Sequence, residues 1–355
     1  MIIGFIGLEN SGKTTVFNAL TGSEAQVTAY ASQKTEPNLA SVPVVDDRLL
    51  RLREMYNPKK TTFATVDIID FVGLSAGAAK LGVFSSLTMG LVKNTDALAL
   101  VLRNFEDETA GPPDPVADLE QIELELFLSD LIIAEKRLEK IESLYKKGQK
   151  TPALEFEEKV VRRIVDQLGD QQPIRDLGLN ADEIKAVKSY HFLSQKPFFA
   201  ILNSDENRFG RNAELFTGLS DRHEAIEFAG AFEMELIGLG EEDRQLFMAD
   251  LGIEESARNR LIRMAYATLG YISFFTVGPD EVRAWTLKKG QSAVDAAGTI
   301  HNDLARGFIR AECFRYDELI EQGSEKGVKE KGLLRLEGKG YEVCDGDLLS
   351  IRFSV

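Results

Sequence analysis

The chain has 355 residues, enough for two or three domains, and its 44% hydrophobic and 28% charged content is that of an ordinary soluble globular protein. A formal net charge of −15 argues against a general polyanion binder, and two cysteines, Cys313 and Cys344, are too few for a disulfide framework. The amino terminus has no basic segment followed by a long apolar stretch, and no run approaches the roughly 18 apolar residues of a membrane span. The expected setting is therefore the reducing cytoplasm, with no membrane partner.

Met1 to Ile6 is a short apolar, β-branched run that predicts a buried strand. Gly7-Leu8-Glu9-Asn10-Ser11-Gly12-Lys13-Thr14 follows and fits G-x-x-x-x-G-K-[ST], the phosphate-binding P-loop. Thr15 to Leu20 then predicts a helix with Phe17 and Leu20 on one face. Backbone N–H groups at a helix N-terminus hold the dense charge of a triphosphate without long side chains. Glu9, Asn10, Ser11, Gly12, Lys13, Thr14 and Thr15 are the expected nucleotide cradle. Lys13 brings a point charge to the outer phosphates, where it would act in catalysis, and Thr14 offers a hydroxyl to Mg²⁺.

Ala64 to Asp70 predicts a strand whose last residue opens D-x-x-G with Gly73. In that role Asp70 holds Mg²⁺ directly or through water, and the Gly73 N–H senses the terminal phosphate. The residue after Gly73 is Leu74. A Gln there would orient the attacking water, and leucine cannot, so slow hydrolysis is expected. Ala97 to Leu102 is a continuous apolar run suited to a strand covered on both faces.

Pro112, Pro113 and Pro115 then stop any helix. Beyond them Leu131, Ala134, Leu138, Ile141 and Tyr145 fall on one helical stripe, Lys146 to Lys150 breaks it, and Leu154 to Leu168 resumes it. This predicts an antiparallel helical hairpin ending near His191. Strands are expected again at Lys196 to Leu202 and Ala225 to Ala229. The first delivers Asn203-Ser204-Asp205-Glu206, in the place of the guanine-reading N-K-x-D. Glu206 is one methylene longer than that Asp, and Asn203 suits the N6/N7 edge of adenine. Guanine discrimination should be weakened and ATP accepted.

Taken together, the P-loop, Glu36-Pro37-Asn38, Asp70-x-x-Gly73, the proline break with its helical insert, and Asn203-x-x-Glu206 resemble the YchF subfamily of Obg-related GTPases, the Obg-like ATPases. The C-terminal runs Phe274-Phe275-Thr276, Glu281 to Trp285, Ala296 to His301, Arg306 to Glu312 and Leu336 to Lys339 are similar to the TGS domain of that subfamily. The resemblance covers essentially the whole chain. It implies an α/β P-loop NTPase (G domain) with an inserted antiparallel helical coiled coil and a C-terminal α+β TGS domain. The expected division is 1–115 and 196–270 for the G domain, 116–195 for the insert and 271–355 for the TGS domain.

It also implies a slow, Mg²⁺-dependent ATPase, with GTP tolerated, that acts as a switch on the ribosome, on its large subunit. RNA contact would run through the insert and the TGS domain, where His301, Arg306, Arg310 and Lys339 are the candidates. Two alternatives stay open, a GTP-specific switch and a non-hydrolysing nucleotide-sensing scaffold. The sequence departs from the subfamily at three places. Lys34 stands where a switch threonine is usual, leaving Thr35 as the nearby hydroxyl for Mg²⁺. The second switch reads Lys80 to Ser86 in place of a glycine-rich segment, and Ala229-Gly230-Ala231 replaces the usual S-A-K of the last base-contacting loop.

Overall fold

The computed structural model describes residues 1–22, 38–71, 91–92, 94–107, 110–220, 223–240, 243, 246, 248 and 255–354. These divide into two compact units, one of residues 2–40 and 67–258, the other of residues 1, 41–66 and 259–355.

The first unit is built on a six-stranded sheet in the order β2-β4-β1-β5-β6-β7. The strands are β1 (Ile2–Ile6), β2 (Asn38–Pro43), β4 (Thr65–Asp70), β5 (Ala97–Asn104), β6 (Phe198–Ser204) and β7 (Glu224–Phe228), with β3 (Lys60–Thr62) belonging elsewhere. The pairs β1/β4, β1/β5, β5/β6 and β6/β7 are parallel. Every residue of β5 and β6 is buried, in keeping with the apolar runs Ala97 to Leu102 and Phe198 to Leu202. In the β1/β4 register Phe5 lies beside Asp70, so Asp70 ends its strand where β1 runs into the P-loop. Helix α1 (Lys13–Thr21) starts directly from that loop.

The helical insert is also as the pattern predicts. Asp114 caps α3 (Pro115–Lys146) by accepting from Ala117 N, and Pro115 sits in the first turn, where a missing N–H costs nothing. Thr151 caps α4 (Pro152–Gly169) in the same way. The two helices run antiparallel. Ala134 is buried against Val160, Val161, Ile164 and Leu168, with Leu131 and Leu138 beside them, and Ile141 is fully buried as well. Arg137 meets Glu157 as a two-pronged pair at 2.6 and 2.7 Å. Asp130, fully buried on α3, accepts from Leu193 N (2.8 Å), Ser194 N (2.7 Å) and Ser194 Oγ (2.7 Å), and so holds the chain that returns from the hairpin. Burial pushes its carboxyl up to about 6 against the pull of those donors.

The second unit carries a sheet in the order β11-β10-β12-β8-β9-β3. Its strands are β8 (Tyr271–Thr276), β9 (Glu281–Lys288), β10 (Phe308–Arg315), β11 (Arg335–Glu337), β12 (Asp347–Phe353) and β3, which pairs parallel to β9. The helix Ala293–Ile300 is part of its core, where Ala293, Ala296 and Ala297 are fully buried. Residues 41–66 group with the C-terminal residues in this unit. Helix α2 (Asp47–Tyr56) adds Arg48, which bonds Asp46 and Asp345 and lies 5.2 Å from the centre of the Phe275 ring. Tyr56 donates to Glu325 at 2.9 Å. Trp285 is a packing residue. It stacks on Phe274, lies under the Arg283 guanidinium at 3.8 Å and donates Nε1–H to Thr276. Among the described residues no helix is long and apolar enough to cross a membrane.

Candidate functional site

The P-loop is a sharp turn between β1 and α1. Asn10 (φ 60°) and Gly12 (φ 78°) both take left-handed backbone angles, and a Cβ on Gly12 would stand 2.2 Å from Asn203 Nδ2, so only glycine fits there. Ser11 is 1% exposed and Lys13 7% exposed. The Lys13 ammonium reaches Gly7 O at 3.0 Å and Leu8 O at 2.7 Å. Burial pulls its pKa down to about 8, against the attraction of Asp70 and Glu9. Glu9 itself is exposed, and Thr15 lies on the first turn of α1.

Thr14 and Asp70 come together as the motifs require. Thr14 Oγ1 donates to Asp70 Oδ2 at 2.8 Å. Asn38 Nδ2 donates to the same oxygen at 3.3 Å. Asp70 is 5% exposed, and its Oδ1 is buried with no hydrogen-bond partner among the described residues. Burial raises its pKa, while Thr14, Lys13 and Asn38 oppose the rise. A hydroxyl beside a carboxylate with a spare oxygen is a hard-oxygen donor set that fits Mg²⁺, an ion that needs few protein ligands when phosphates and water supply the rest. Asn38 was legible only as the end of Glu-Pro-Asn, with no site role attached to it. Thr35, Gly73, Leu74 and the segment Lys80 to Ser86 lie outside the described residues.

On the base side, Asn203 and Ser204 are both bonded to the protein. Asn203 is 4% exposed and spends both ends of its amide on the protein. Nδ2 donates to Ser11 O at 3.1 Å, and Oδ1 accepts from Gly230 N at 3.1 Å. It ties the P-loop to the Ala229-Gly230-Ala231 turn, which opens the helix Gly230–Gly238. A Cβ on Gly230 would lie 2.9 Å from Asn203 Oδ1, so this tie needs a small residue there. Ser204 is equally committed, accepting from Asn104 Nδ2 at 2.8 Å and donating to Glu227 at 2.6 Å. Glu206 is exposed in the following turn, and Ala231 is exposed at the helix start.

Sequence reasoning passed over Phe105. This half-buried ring stands just past β5, with Cε1 3.4 Å from where a Gly12 Cβ would be. A single aromatic after a strand carries no spacing signal. Two of the candidate RNA contacts have local partners. His301 Nδ1 accepts from Asp303 N at 3.1 Å as a helix cap, and Arg306 pairs with Asp303 at 2.6 Å.

Comparison with known proteins agrees with this geometry. Residues 2–150 match the family described as 50S ribosome-binding GTPase, and residues 271–354 match the YchF-GTPase C-terminal family, described as a protein of unknown function (DUF933). The chain is 37% identical to the ribosome-binding ATPase YchF of Bacillus subtilis, covering 99% of both chains. It is 39% identical to the protein of the same name from Haemophilus ducreyi, again over 99% of both. The structure of the Schizosaccharomyces pombe YchF GTPase superposes with a TM-score of 0.85 at 29% identity, over 99% of this chain and 97% of that one. A P-loop with its Thr14–Asp70 pair, in a chain aligned from end to end with such relatives, leads to one assignment: the chain belongs to the YchF family of P-loop nucleoside triphosphatases.

Proposed function

We propose that the chain is a slow, Mg²⁺-dependent hydrolase of ATP, with GTP tolerated, that acts as a nucleotide-controlled switch on the large ribosomal subunit in the cytoplasm. The observation that carries this reading is the Thr14–Asp70 pair, with Asp70 Oδ1 left over, next to the buried Lys13 ammonium. Bound Mg²⁺ would neutralise charge on the outer phosphates and hold them in line for attack. The P-loop N–H groups and Lys13 would bind the same phosphates, with Lys13 releasing Gly7 O and Leu8 O to do so. Gly73 as the sensor of the terminal phosphate, and Thr35 as a second hydroxyl for the metal, complete the reading. Phe105, beside Gly12, would lie near the base, and Ala229 to Ala231 and Glu206 would complete that side of the site. The names of the relatives support the ribosome as partner. RNA contact would use the insert tip, where Lys146, Lys147 and Lys150 are exposed, together with the C-terminal unit.

Titration with fluorescent ATP and GTP analogues, with and without ribosomes, tests this. ATP should bind at least as tightly as GTP. A clear preference for GTP would replace the reading with a GTP-specific switch, and absence of phosphate release from either would leave a nucleotide-sensing scaffold.

The pKa of Lys13 adds a pH dependence. Its folded-state value of about 8 lies below that of a free lysine, and a bound phosphate would raise it again. Affinity should therefore be full below pH 8 and fall as pH rises above it, by up to about tenfold per unit. Calorimetry near pH 8 in buffers of different ionisation enthalpy should show proton uptake on binding.

A further inference from the structure

A cavity of about 780 Å³ is lined by α3, by the chain that follows α4 and by His223. It lies away from the P-loop. Phe198 opens β6 and His223 directly precedes β7, at the strand ends opposite to the one where Asn203 meets Ser11. Arg175, in the short helix Ile174–Leu177, is the single Arg or Lys in the lining. Its guanidinium lies over the buried Phe198 ring, 4.3 Å from the ring centre. Nη1 is buried with no hydrogen-bond partner among the described residues. The one ion pair of Arg175 among them is a loose contact of Nε with Asp176 Oδ1, at 4.0 Å. The side chain is 20% exposed, so a ligand in the cavity can reach it.

Arg103, buried in the same unit, shows a guanidinium with a structural place. Its Nη1 donates to the carbonyls of Phe105 and Gly111, and its Nη2 to those of Ala110 and Pro112. Arg175 has no such set of acceptors among the described residues. Taking a guanidinium out of water without acceptors costs stability, and stacking on Phe198 recovers only part of that cost. Burial accordingly pulls the pKa of Arg175 down, against the attraction of Asp176 and Glu123. A buried donor left without a partner calls for an acceptor from outside the chain, and an arrangement kept at a cost in stability marks a functional place.

Carboxylate and phosphate are the acceptors that fit an arginine fork, and the lining chooses between them. Glu120, Glu123, Asp170 and Asp176 set four carboxylates around the one guanidinium. A phosphate group, with nearly two negative charges, would be repelled there. A carboxylate that carries its own ammonium would be held at both ends. Glu123 is engaged by His223 Nε2 at 2.7 Å, whereas Asp170 and Asp176 are exposed at the rim. Leu124, 42% exposed in the same lining, offers apolar surface to a methylene chain. We propose that this cavity binds a small carboxylate that also bears an amino group, either a free basic amino acid or the C-terminal residue of a basic peptide. Its carboxylate would sit on Arg175 and its ammonium on Asp170 and Asp176.

The test is a ligand-observed NMR titration of the full chain with L-lysine, L-lysinamide and N-acetyl-lysyl-lysine with a free carboxylate. L-lysine or the dipeptide should saturate a site, and L-lysinamide, which lacks the carboxylate, should bind about tenfold or more weakly. The tighter of the first two tells a free amino acid from a peptide end. Neither inorganic phosphate nor ATP with Mg²⁺ should displace the bound ligand, because both belong at the P-loop. Arg175→Met keeps a chain over Phe198 and removes the charge. It should weaken L-lysine about tenfold, abolish the difference between L-lysine and L-lysinamide, and melt no lower than the parent. Asp170→Asn/Asp176→Asn should weaken L-lysine about threefold or more. Equal binding of L-lysine and L-lysinamide by the parent, or binding of neither L-lysine nor the dipeptide, would overturn the proposal. So would displacement by phosphate, or an Arg175→Met chain that fails to fold or melts well below the parent, since Arg175 would then be structural.

Discussion

Replacing Lys13 with alanine should lower phosphate release from ATP by about a hundredfold or more, the scale seen when one preorganised charge-stabilising donor is removed. Lys13 is the sole basic residue from Gly7 to Thr14, and it is held 7% exposed at the start of α1. No other side chain of the loop can supply that charge. The loss should be one of function and not of folding. Burial already disfavours the Lys13 ammonium, as its lowered pKa of about 8 records, so thermal unfolding of Lys13→Ala should lie close to that of the parent. A malachite-green phosphate assay alongside a melting curve separates the two. Turnover that survives the substitution would point to a contaminating enzyme.

Asp130→Ala should have the largest effect on stability, about 3 kcal/mol by urea denaturation. The substitution leaves Leu193 N and Ser194 N unpaired in a fully buried place and takes away the acceptor of the Ser194 hydroxyl. Its pH dependence follows from the raised pKa. The folded chain holds a proton on Asp130 up to about pH 6, while an unfolded Asp releases it near pH 4. The native state therefore binds more protons in that window, and the contribution of Asp130 is fullest below it and shrinks as pH rises through it. The stability gap between parent and variant should narrow from pH 4 to pH 6 and then hold constant to pH 8.

The parts of the fold carried by local rules were legible in the sequence. β5 and β6 could be read because a parallel strand covered on both faces is mostly apolar, as Ala97 to Leu102 and Phe198 to Leu202 are. The insert could be read because its stripe and its caps obey one helical period, and Ala134 and Ile141 are buried where that period puts them. Asp70 reached Thr14 because Asp70 ends β4 beside β1, and β1 runs through the P-loop into the first turn of α1, where Thr14 stands. Features depending on distant pairing were not legible. Lys60-Thr61-Thr62 is polar and three residues long, and nothing in it announces a partner strand beginning at Glu281. Arg48 and Asp345 are 297 positions apart. Asn203 shows a different limit. Burial requires both ends of its amide to be satisfied, and its bonds to Ser11 and Gly230, 192 and 27 positions away, carry no local signal. Phe105 and Asn38 entered the site without any motif of their own, through the ends of β5 and β2.

In the proposed function Thr14, Asp70 and the P-loop form one site for a nucleoside triphosphate with its metal. The most direct measurement is an equilibrium titration of the full chain with ATP, once in Mg²⁺ and once in EDTA. Saturable binding in Mg²⁺ that weakens about tenfold or more in EDTA is the predicted result. Binding of equal strength in both buffers, or none in either, would contradict it.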